Sequence, residues 1–244
     1  GVIALFQALA LGIKAIEFSA GKAYNEEAEK PLSKLSIALT IMVSVVLGIG
    51  LFILLPLYAT KLLGLVFHGI SKHSLLFNLT DGIVRVLIFL LYVVLIGIWK
   101  EMARIFMYHG AEHKVVFNFE SGQPVTVENA QRFTTFHPRC GTSFLMTVML
   151  ISIAFYTVVP VYTFWSRFAI RIALLPLIAG VSYEIIRFAA KHRGSLFALM
   201  TAPGLWLQRI TTQPPTDDQV ECAITALNEA MELEKVRGGE LVIA

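Results

Sequence analysis

Cysteine and charge are both scarce in this sequence. Its two cysteines, Cys140 and Cys222, lie in dissimilar contexts, which excludes a disulfide-stapled secreted domain and favours reduced thiols facing the cytoplasm. Charged residues make up 15% of the chain, whereas soluble domains carry roughly a quarter. The net charge of +3 is small and its basic residues are dispersed, so no nucleic-acid partner is expected.

Several motifs of soluble enzymes are also missing. The chain contains no G-x-S-x-G, no Walker A and no G-x-G-x-x-G motif, which removes the basis for a serine hydrolase, a P-loop enzyme or a dinucleotide enzyme. It shows no internal repeat. The basic start and small-residue cleavage site of a signal peptide are absent at its apolar beginning, so we expect that the sequence starts partway into a longer protein.

Long apolar runs are what the sequence has instead. Hydrophobic residues reach 56% and the mean hydropathy is +0.70, which predicts an all-α polytopic membrane protein with about four transmembrane helices, interfacial helices and a small cytoplasmic hairpin or loop. The predicted spans are residues 35–59, 82–99, 142–162 and 168–188.

The flanking segments predict three regions. Residues 1–34 form an interfacial helix and loop, because Gln7, Lys14 and Glu17 interrupt the first apolar stretch. Residues 35–200 form the membrane domain with a His/Cys loop at 100–141, and residues 201–244 form an amphipathic tail.

Local signals predict five smaller features. They are a kink or fraying last turn at Pro56, a two-stranded hairpin across 115–128 with Gly122 in its turn, a short helix at 127–136, an interfacial turn at 202–206 and an amphipathic helix at 216–236.

The distribution of basic residues predicts the topology. Lys and Arg number four before the first span, five between the second and third spans and six from Arg187 onward, against five on the other side. The positive-inside rule therefore places both termini and the His/Cys loop in the cytoplasm of a bacterial inner membrane.

The chemistry is expected between residues 108 and 144. His109 and His113 are spaced i, i+4, which stacks both imidazoles on one helix face. His137 and Cys140 follow just before the third span. Two donor pairs on converging segments predict a site for zinc or a similar transition metal.

Two carboxylates are candidates for catalysis. His109-Gly-Ala-Glu112-His113 matches H-x-x-E-H, the inverted zincin arrangement in which the glutamate polarises the attacking water. Glu184 is the one acid of the fourth span and is predicted towards the cytoplasmic face, as third ligand or base; its alternative is an ion pair with Arg187.

Other interpretations of the same residues stay open. If His109, His113, His137 and Cys140 all bind, four ligands close a tetrahedral site and the metal is structural. The four could also form a metal-free hydrogen-bonded network, or Cys140 could be a nucleophile activated by His137 and Arg139.

These interpretations define two function classes. One is a metal-dependent hydrolase of a membrane-associated substrate, with Glu112 or Glu184 as base. The other is a scaffold, assembly factor, oligomeric pore or carrier with a structural metal. Membrane lipids and a homo-oligomeric or other membrane-protein partner are expected for either class.

The motifs resemble those of the YqhQ-like bacterial membrane proteins. The matching stretches are ALFQALALGIKAIEFSA, YHGAEHKVV, TVENAQRFTTFHPRCGTSF, SYEIIRFAAKHR and APGLWLQRITTQPPTDDQVECAITAL. The resemblance implies membrane location and a metal-dependent activity of no established reaction. A GGQAVIEGVMMR-like N-terminal segment usual in that family is absent here, so its contribution to a site is missing.

Overall fold

The computed structural model describes residues 2–27, 34–138, 140–159, 163–191 and 196–237, and within these ranges it contains helices and no strand. The predicted all-α class is therefore confirmed. The helices are α1 (Val2–Glu27), α2 (Lys34–Ile49), α3 (Leu55–Val66), α4 (His68–Lys72), α5 (Ser74–Ile98), α6 (Lys100–Glu120), α7 (Val127–Gln131), α8 (Gly141–Val158), α9 (Phe164–Lys191), α10 (Leu196–Thr211) and α11 (Asp217–Arg237).

Within the described ranges, four segments are long and apolar enough to cross a membrane, as predicted. They are Leu35–Val66, Ser74–Ile98, Gly141–Val158 and Phe164–Ala189. The first two extend beyond the predicted limits, because residues 60–81, which separate the first two predicted spans, are themselves largely helical. Within the described residues α1 is not among the candidate spans, and its interfacial position stays a prediction.

The first span continues past Pro56 without fraying, so the predicted fraying last turn is wrong, whereas the alternative, a kink at Pro56, stays a prediction. A π-helical turn at Gly50–Leu54 precedes the proline, and the Leu55 N–H bonds to the Gly50 carbonyl. Pro56 itself has no backbone N–H to donate, and a proline ring crowds the preceding turn of an α-helix. The wider π turn accommodates the ring, and the helix then continues to Val66.

The predicted hairpin across 115–128 is wrong. Helix α6 runs unbroken to Glu120, and Ala111, Val115 and Asn118 form its buried face. That i, i+4, i+7 spacing packs against α11, which outweighs the local alternation of apolar residues. Gly122 does lie in the following turn, with a φ of 72°.

Residues 202–206 are helical, not an interfacial turn. Pro203 lies inside α10, and Gly204 packs so closely that a Cβ there would lie 2.5 Å from the Ser143 Cα. Tertiary packing therefore holds a helix through a Pro-Gly pair. The predicted short helix after residue 127 ends early, at Gln131, whereas the amphipathic helix of the tail is confirmed as α11.

The chain divides into two compact units. One contains Gly1–Phe89 and Val148–Phe188, and the other contains Leu90–Thr147 and Ala189–Ala244. Every predicted metal ligand belongs to the second unit. Of the predicted site residues, Glu184 alone belongs to the first.

The second unit has a small apolar core on which α6 is fixed. Ala111 and Val115 of α6 meet Ala130 of α7 and Val220 of α11, all nearly inaccessible to solvent. The start of α11 is capped reciprocally, because the Thr216 N–H bonds to the Gln219 side chain and the Gln219 N–H bonds to the Thr216 carbonyl. Helix α6, which carries both histidines, is thus packed against both α7 and α11.

Candidate metal centre

Two histidines of α6 and the cysteine before α8 form a compact donor cluster. The ring centroids of His109 and His113 lie 4.5 Å apart, as expected for i, i+4 positions. His109 Nε2 lies 3.1 Å from Cys140 Sγ, and one ligand atom from each of the three residues lies within 4.8 Å of the others. Imidazole and thiolate are donors preferred by zinc and similar borderline-soft ions, so the donor set fits such an ion.

Backbone carbonyls orient both imidazoles. His109 Nδ1 bonds to the Thr211 carbonyl at 2.8 Å, and His113 Nδ1 bonds to the Thr135 carbonyl. Because a carbonyl only accepts, each Nδ1 carries the proton, and the Nε2 of a neutral ring keeps its lone pair. Histidines that bind metals almost always donate their second N–H in this way.

Two close contacts fix those carbonyls. Lys114 Nζ donates to the carbonyls of Gln131 and Phe133 at 2.7 and 2.6 Å, which anchors the loop that leads to Thr135; burial lowers the pKa of Lys114. On the other side, a Cβ at Gly110 would lie 2.2 Å from the Gln213 carbonyl oxygen. Glycine therefore permits the approach of the segment that follows Thr211.

The cluster favours a thiolate at Cys140. Burial raises the pKa of this thiol, but hydrogen bonds with His109, His113 and Thr142 outweigh burial and lower it to about 5. The pKa of His109 responds in the opposite direction: burial lowers it, yet the bond to Cys140 and the charge there raise it above its usual value. A thiolate is the form of cysteine that binds metals and attacks electrophiles.

His137 lies beside the triad but is not a member of it. Its ring centroid is 5.6 Å from that of His113 and 4.6 Å from that of Phe117, and its Nε2 is 3.6 Å from the Glu120 carboxylate. Gln208 holds its backbone, accepting from the His137 N–H and donating to its carbonyl, each at 2.7 Å. Its role as a fourth ligand stays a prediction.

A pocket of about 250 Å³ opens directly onto the donor atoms. Its lining includes the triad together with Glu112, Val116, His137 and Gly141. Glu112 is exposed there, and its charge contributes to raising the pKa of His109. The pocket therefore presents a carboxylate and an imidazole next to the three donors.

Two residues of the sequence hypotheses stay untested at this site. Glu184 belongs to the first unit, and its carboxylate lies 3.9 Å from the Arg187 guanidinium with both side chains more than half exposed. Its approach to the triad stays a prediction. Arg139, invoked beside the thiol, lies outside the described residues.

Sequence reasoning missed the residues that orient the ligands. Thr135 and Thr211 act through backbone carbonyls, which leave no trace in a side-chain pattern. Gln208 could have been noticed, because it is the one amide within the apolar run of α10; it is fully buried and also donates to Ser143 Oγ at 2.9 Å.

Comparison with known proteins places these residues in a family. A family described as protein of unknown function DUF1385 matches residues 1–233. The uncharacterized protein YqhQ of Bacillus subtilis (strain 168) is 34% identical over 248 residues, covering 96% of this chain and 76% of that protein. No solved structure matches. With a family match along nearly the whole length and a curated relative above 30% identity, this membrane protein belongs to the DUF1385 family.

Proposed function

We propose that this protein is a metal-dependent hydrolase of the bacterial inner membrane, with a zinc-type ion held by His109, His113 and Cys140. The observation that carries the proposal is donor orientation: both imidazoles bond to carbonyls through Nδ1 and turn towards one thiol. Catalytic zinc typically has three protein ligands and one exchangeable position, whereas structural zinc has four protein ligands.

The pocket supports a catalytic role over a structural one. It opens onto the donors, and a bound ion would supply Lewis acidity and activate water there. Glu112 lines the same space with an exposed carboxylate, which suits a general base. A volume of about 250 Å³ admits only the reacting portion of a larger molecule, so the remainder of a membrane-associated substrate stays outside.

Charge distribution supports the cytoplasmic placement of this site. Of the five basic residues that the sequence assigns to the opposite side, Arg85, Arg167 and Arg171 are buried. Only Lys61 and Lys72 are exposed there, which strengthens the positive-inside asymmetry.

The scaffold alternative needs a fourth protein ligand. His137 is the candidate, but its Nε2 lies near the Glu120 carboxylate and its backbone is fixed by Gln208. A structural role for the ion is therefore the less favoured alternative.

A thiol enzyme is the second candidate, and it uses the same residues without a metal. The 3.1 Å contact of His109 Nε2 with Cys140 Sγ and the low pKa of the thiol favour it. In that case His109, rather than His137, is the activating imidazole.

The decisive experiment compares Glu112→Gln with Glu101→Gln, a matched change on the same helix outside the pocket lining. Cells lacking the protein should accumulate its substrate in their membrane fraction, which untargeted mass spectrometry detects. Glu101→Gln should reverse this accumulation, and Glu112→Gln should not, although both proteins retain metal. A Glu112→Gln protein that restores the normal profile contradicts a role for this residue as base.

Cobalt substitution tests the open position. The visible spectrum of the cobalt-loaded protein should change when a small ligand such as azide or a hydroxamate is added, because the fourth position exchanges. An unchanged spectrum at saturating ligand favours a closed, structural site.

A further inference from the structure

The metal pocket lies at the end of a span of minimal length. Helix α8 is a candidate membrane span of 18 residues, Gly141–Val158, which is about 27 Å at 1.5 Å per residue. The hydrocarbon layer of a bilayer is about 30 Å thick, so neither end of so short a span projects far into water. Gly141 lines the pocket together with Cys140. The donor atoms therefore lie near the edge of the hydrocarbon layer.

Helix α6 is held against the end of a second span. Trp99 has an extended backbone between α5 and α6, and a Cβ at Gly97 of α5 would lie 3.3 Å from the Phe106 ring of α6. The chain therefore folds back at Trp99, and α6 contacts the last turn of α5 three residues before His109. Two spans consequently end close to the triad, within the second compact unit.

Exposed tryptophan side chains agree with this depth. Trp99 is 65% exposed at the end of α5, and Trp206 is 68% exposed on α10, the helix that packs against Ser143 of α8 through Gly204. The Arg209 Cζ lies 5.7 Å from the centroid of the Trp206 ring. Tryptophan is enriched at membrane–water interfaces, and arginine near helix ends extends to the same level. The surroundings of the pocket thus have the character of the headgroup region.

An apolar surface leads from the pocket along α8. Leu145 follows Gly141 by four residues, so the two residues share one helix face, and Leu145 is 48% exposed. Val116 adds an apolar wall to the pocket itself. This surface runs from the donor atoms into the membrane-spanning part of α8. It is the path of an acyl chain whose ester group lies at the edge of the hydrocarbon layer.

We propose that the pocket binds the ester region of a diacyl membrane lipid, with one acyl chain along Leu145. The acyl esters of such lipids join the hydrocarbon chains to the headgroup, which is the depth at which α8 begins. A cavity of about 250 Å³ holds this region and leaves the rest of the lipid in the bilayer.

The role of this lipid as substrate rests on the hydrolase proposal, whereas its binding does not. In the hydrolase, water adds to the acyl carbonyl carbon and the bond from that carbon to the glycerol oxygen breaks. The products are a fatty acid and a lysolipid, so no further reactant is needed.

Protection of Cys140 from alkylation tests the binding without relying on activity. The full chain as purified in maltoside detergent is treated with a maleimide, and mass spectrometry follows Cys140 and Cys222 separately. Short-chain diacyl phosphatidylglycerol and its diether analogue, each at ten times its dissociation constant, should slow the alkylation of Cys140 about tenfold, because only the lipid-free fraction reacts. Glycerol triacetate, an ester without long chains, should not slow it. Cys222 is exposed and serves as the internal control, with an unchanged rate.

A matched pair of variants tests the path of the acyl chain. Leu145→Ala should weaken the binding of both lipids by about tenfold, because it removes apolar contact with the chain. Leu95→Ala changes another exposed leucine, near the end of α5, and should leave the affinity within about twofold of the unmodified protein. Equal affinities in the two variants contradict the path along α8.

The outcomes separate this inference from the hydrolase proposal. Absence of protection by both lipids, or equal protection by glycerol triacetate, overturns the lipid site whatever the activity of the protein. Protection by both lipids supports the site. If the zinc-loaded protein then releases no fatty acid from the diacyl lipid, the hydrolase proposal fails for this lipid and the binding site stands.

Discussion

The His/Cys triad and the charge cluster around Asp81 satisfy buried polar groups in opposite ways. In the triad, two imidazoles donate to backbone carbonyls through Nδ1 and direct their second nitrogen atoms towards Cys140 Sγ at an open pocket. Around Asp81, charged side chains bond to one another, Arg85 from the same helix and Arg171 from α9. The first arrangement can exchange a proton or an ion, whereas the second cannot lose a member without leaving a buried charge unpaired.

The largest effect is expected from Asp81→Ala. Removing this carboxylate leaves two buried guanidinium groups without their shared anion, which should lower the free energy of unfolding by about 3–5 kcal/mol. Denaturant unfolding in detergent micelles measures the change. Glu128→Ala is the control, because it removes an exposed i, i+4 partner of Arg132 and should cost no more than about 0.5 kcal/mol. Similar losses of unfolding free energy in the two variants would contradict the claim that the cluster around Asp81 depends on buried charge pairing.

Removal of a triad ligand should act on metal binding more than on folding. His113→Ala should weaken zinc affinity by more than about 100-fold, beyond the loss typical of an outer-sphere partner. His137→Ala should weaken it by less than about tenfold, because the His137 Nε2 lies near Glu120. Competition with a chelator of known affinity measures both. A comparable loss in the two variants would make His137 a ligand and the site closed.

Gly110→Ala probes the packing that orients His109. A methyl group there would meet the Gln213 carbonyl, so the second unit should lose about 1–3 kcal/mol and also bind zinc less tightly. Gly12→Ala in α1 is the matched control, since no atom lies within 4 Å of its added Cβ. Thermal unfolding followed by circular dichroism compares the two. A neutral Gly110→Ala would contradict the close approach of the two segments.

A smaller effect concerns pH. In the metal-free protein the pKa of Cys140 is lowered to about 5, so its thiolate should disappear only as the pH falls through that value. A depressed pKa favours the folded state most above the usual thiol pKa of about 8.5, and this contribution declines as the pH falls towards 5. Thiolate absorbance, taken as the difference from Cys140→Ser, measures the transition. Loss of the thiolate signal near the usual thiol pKa would contradict the hydrogen-bonded cluster.

The two regions also differ in how far the sequence predicts them. His109 and His113 lie on one helix at i, i+4 positions, so the sequence alone predicts that they are close. The number of membrane spans follows from the length of the apolar segments. Asp81 and Arg171 are 90 positions apart, so no local pattern joins them.

The errors in secondary structure share one physical cause. The alternating residues after Lys114 and the Pro-Gly pair in α10 carry local signals for a hairpin and a turn, but packing against α11 and against Ser143 keeps both segments helical. Local propensity is a weak preference that tertiary contacts override. By contrast, α11 combines a capped start with an amphipathic pattern, and the sequence predicts its limits within about one residue.

The central claim is that one ion binds to His109, His113 and Cys140, and X-ray absorption at the zinc edge tests it most directly. Protein purified without chelators should carry about one zinc per chain, with one sulfur at about 2.3 Å and two imidazole nitrogen atoms at about 2.0 Å. Cys140→Ser should remove the sulfur signal. Protein without a transition metal, or zinc whose spectrum is unchanged in Cys140→Ser, would contradict the account.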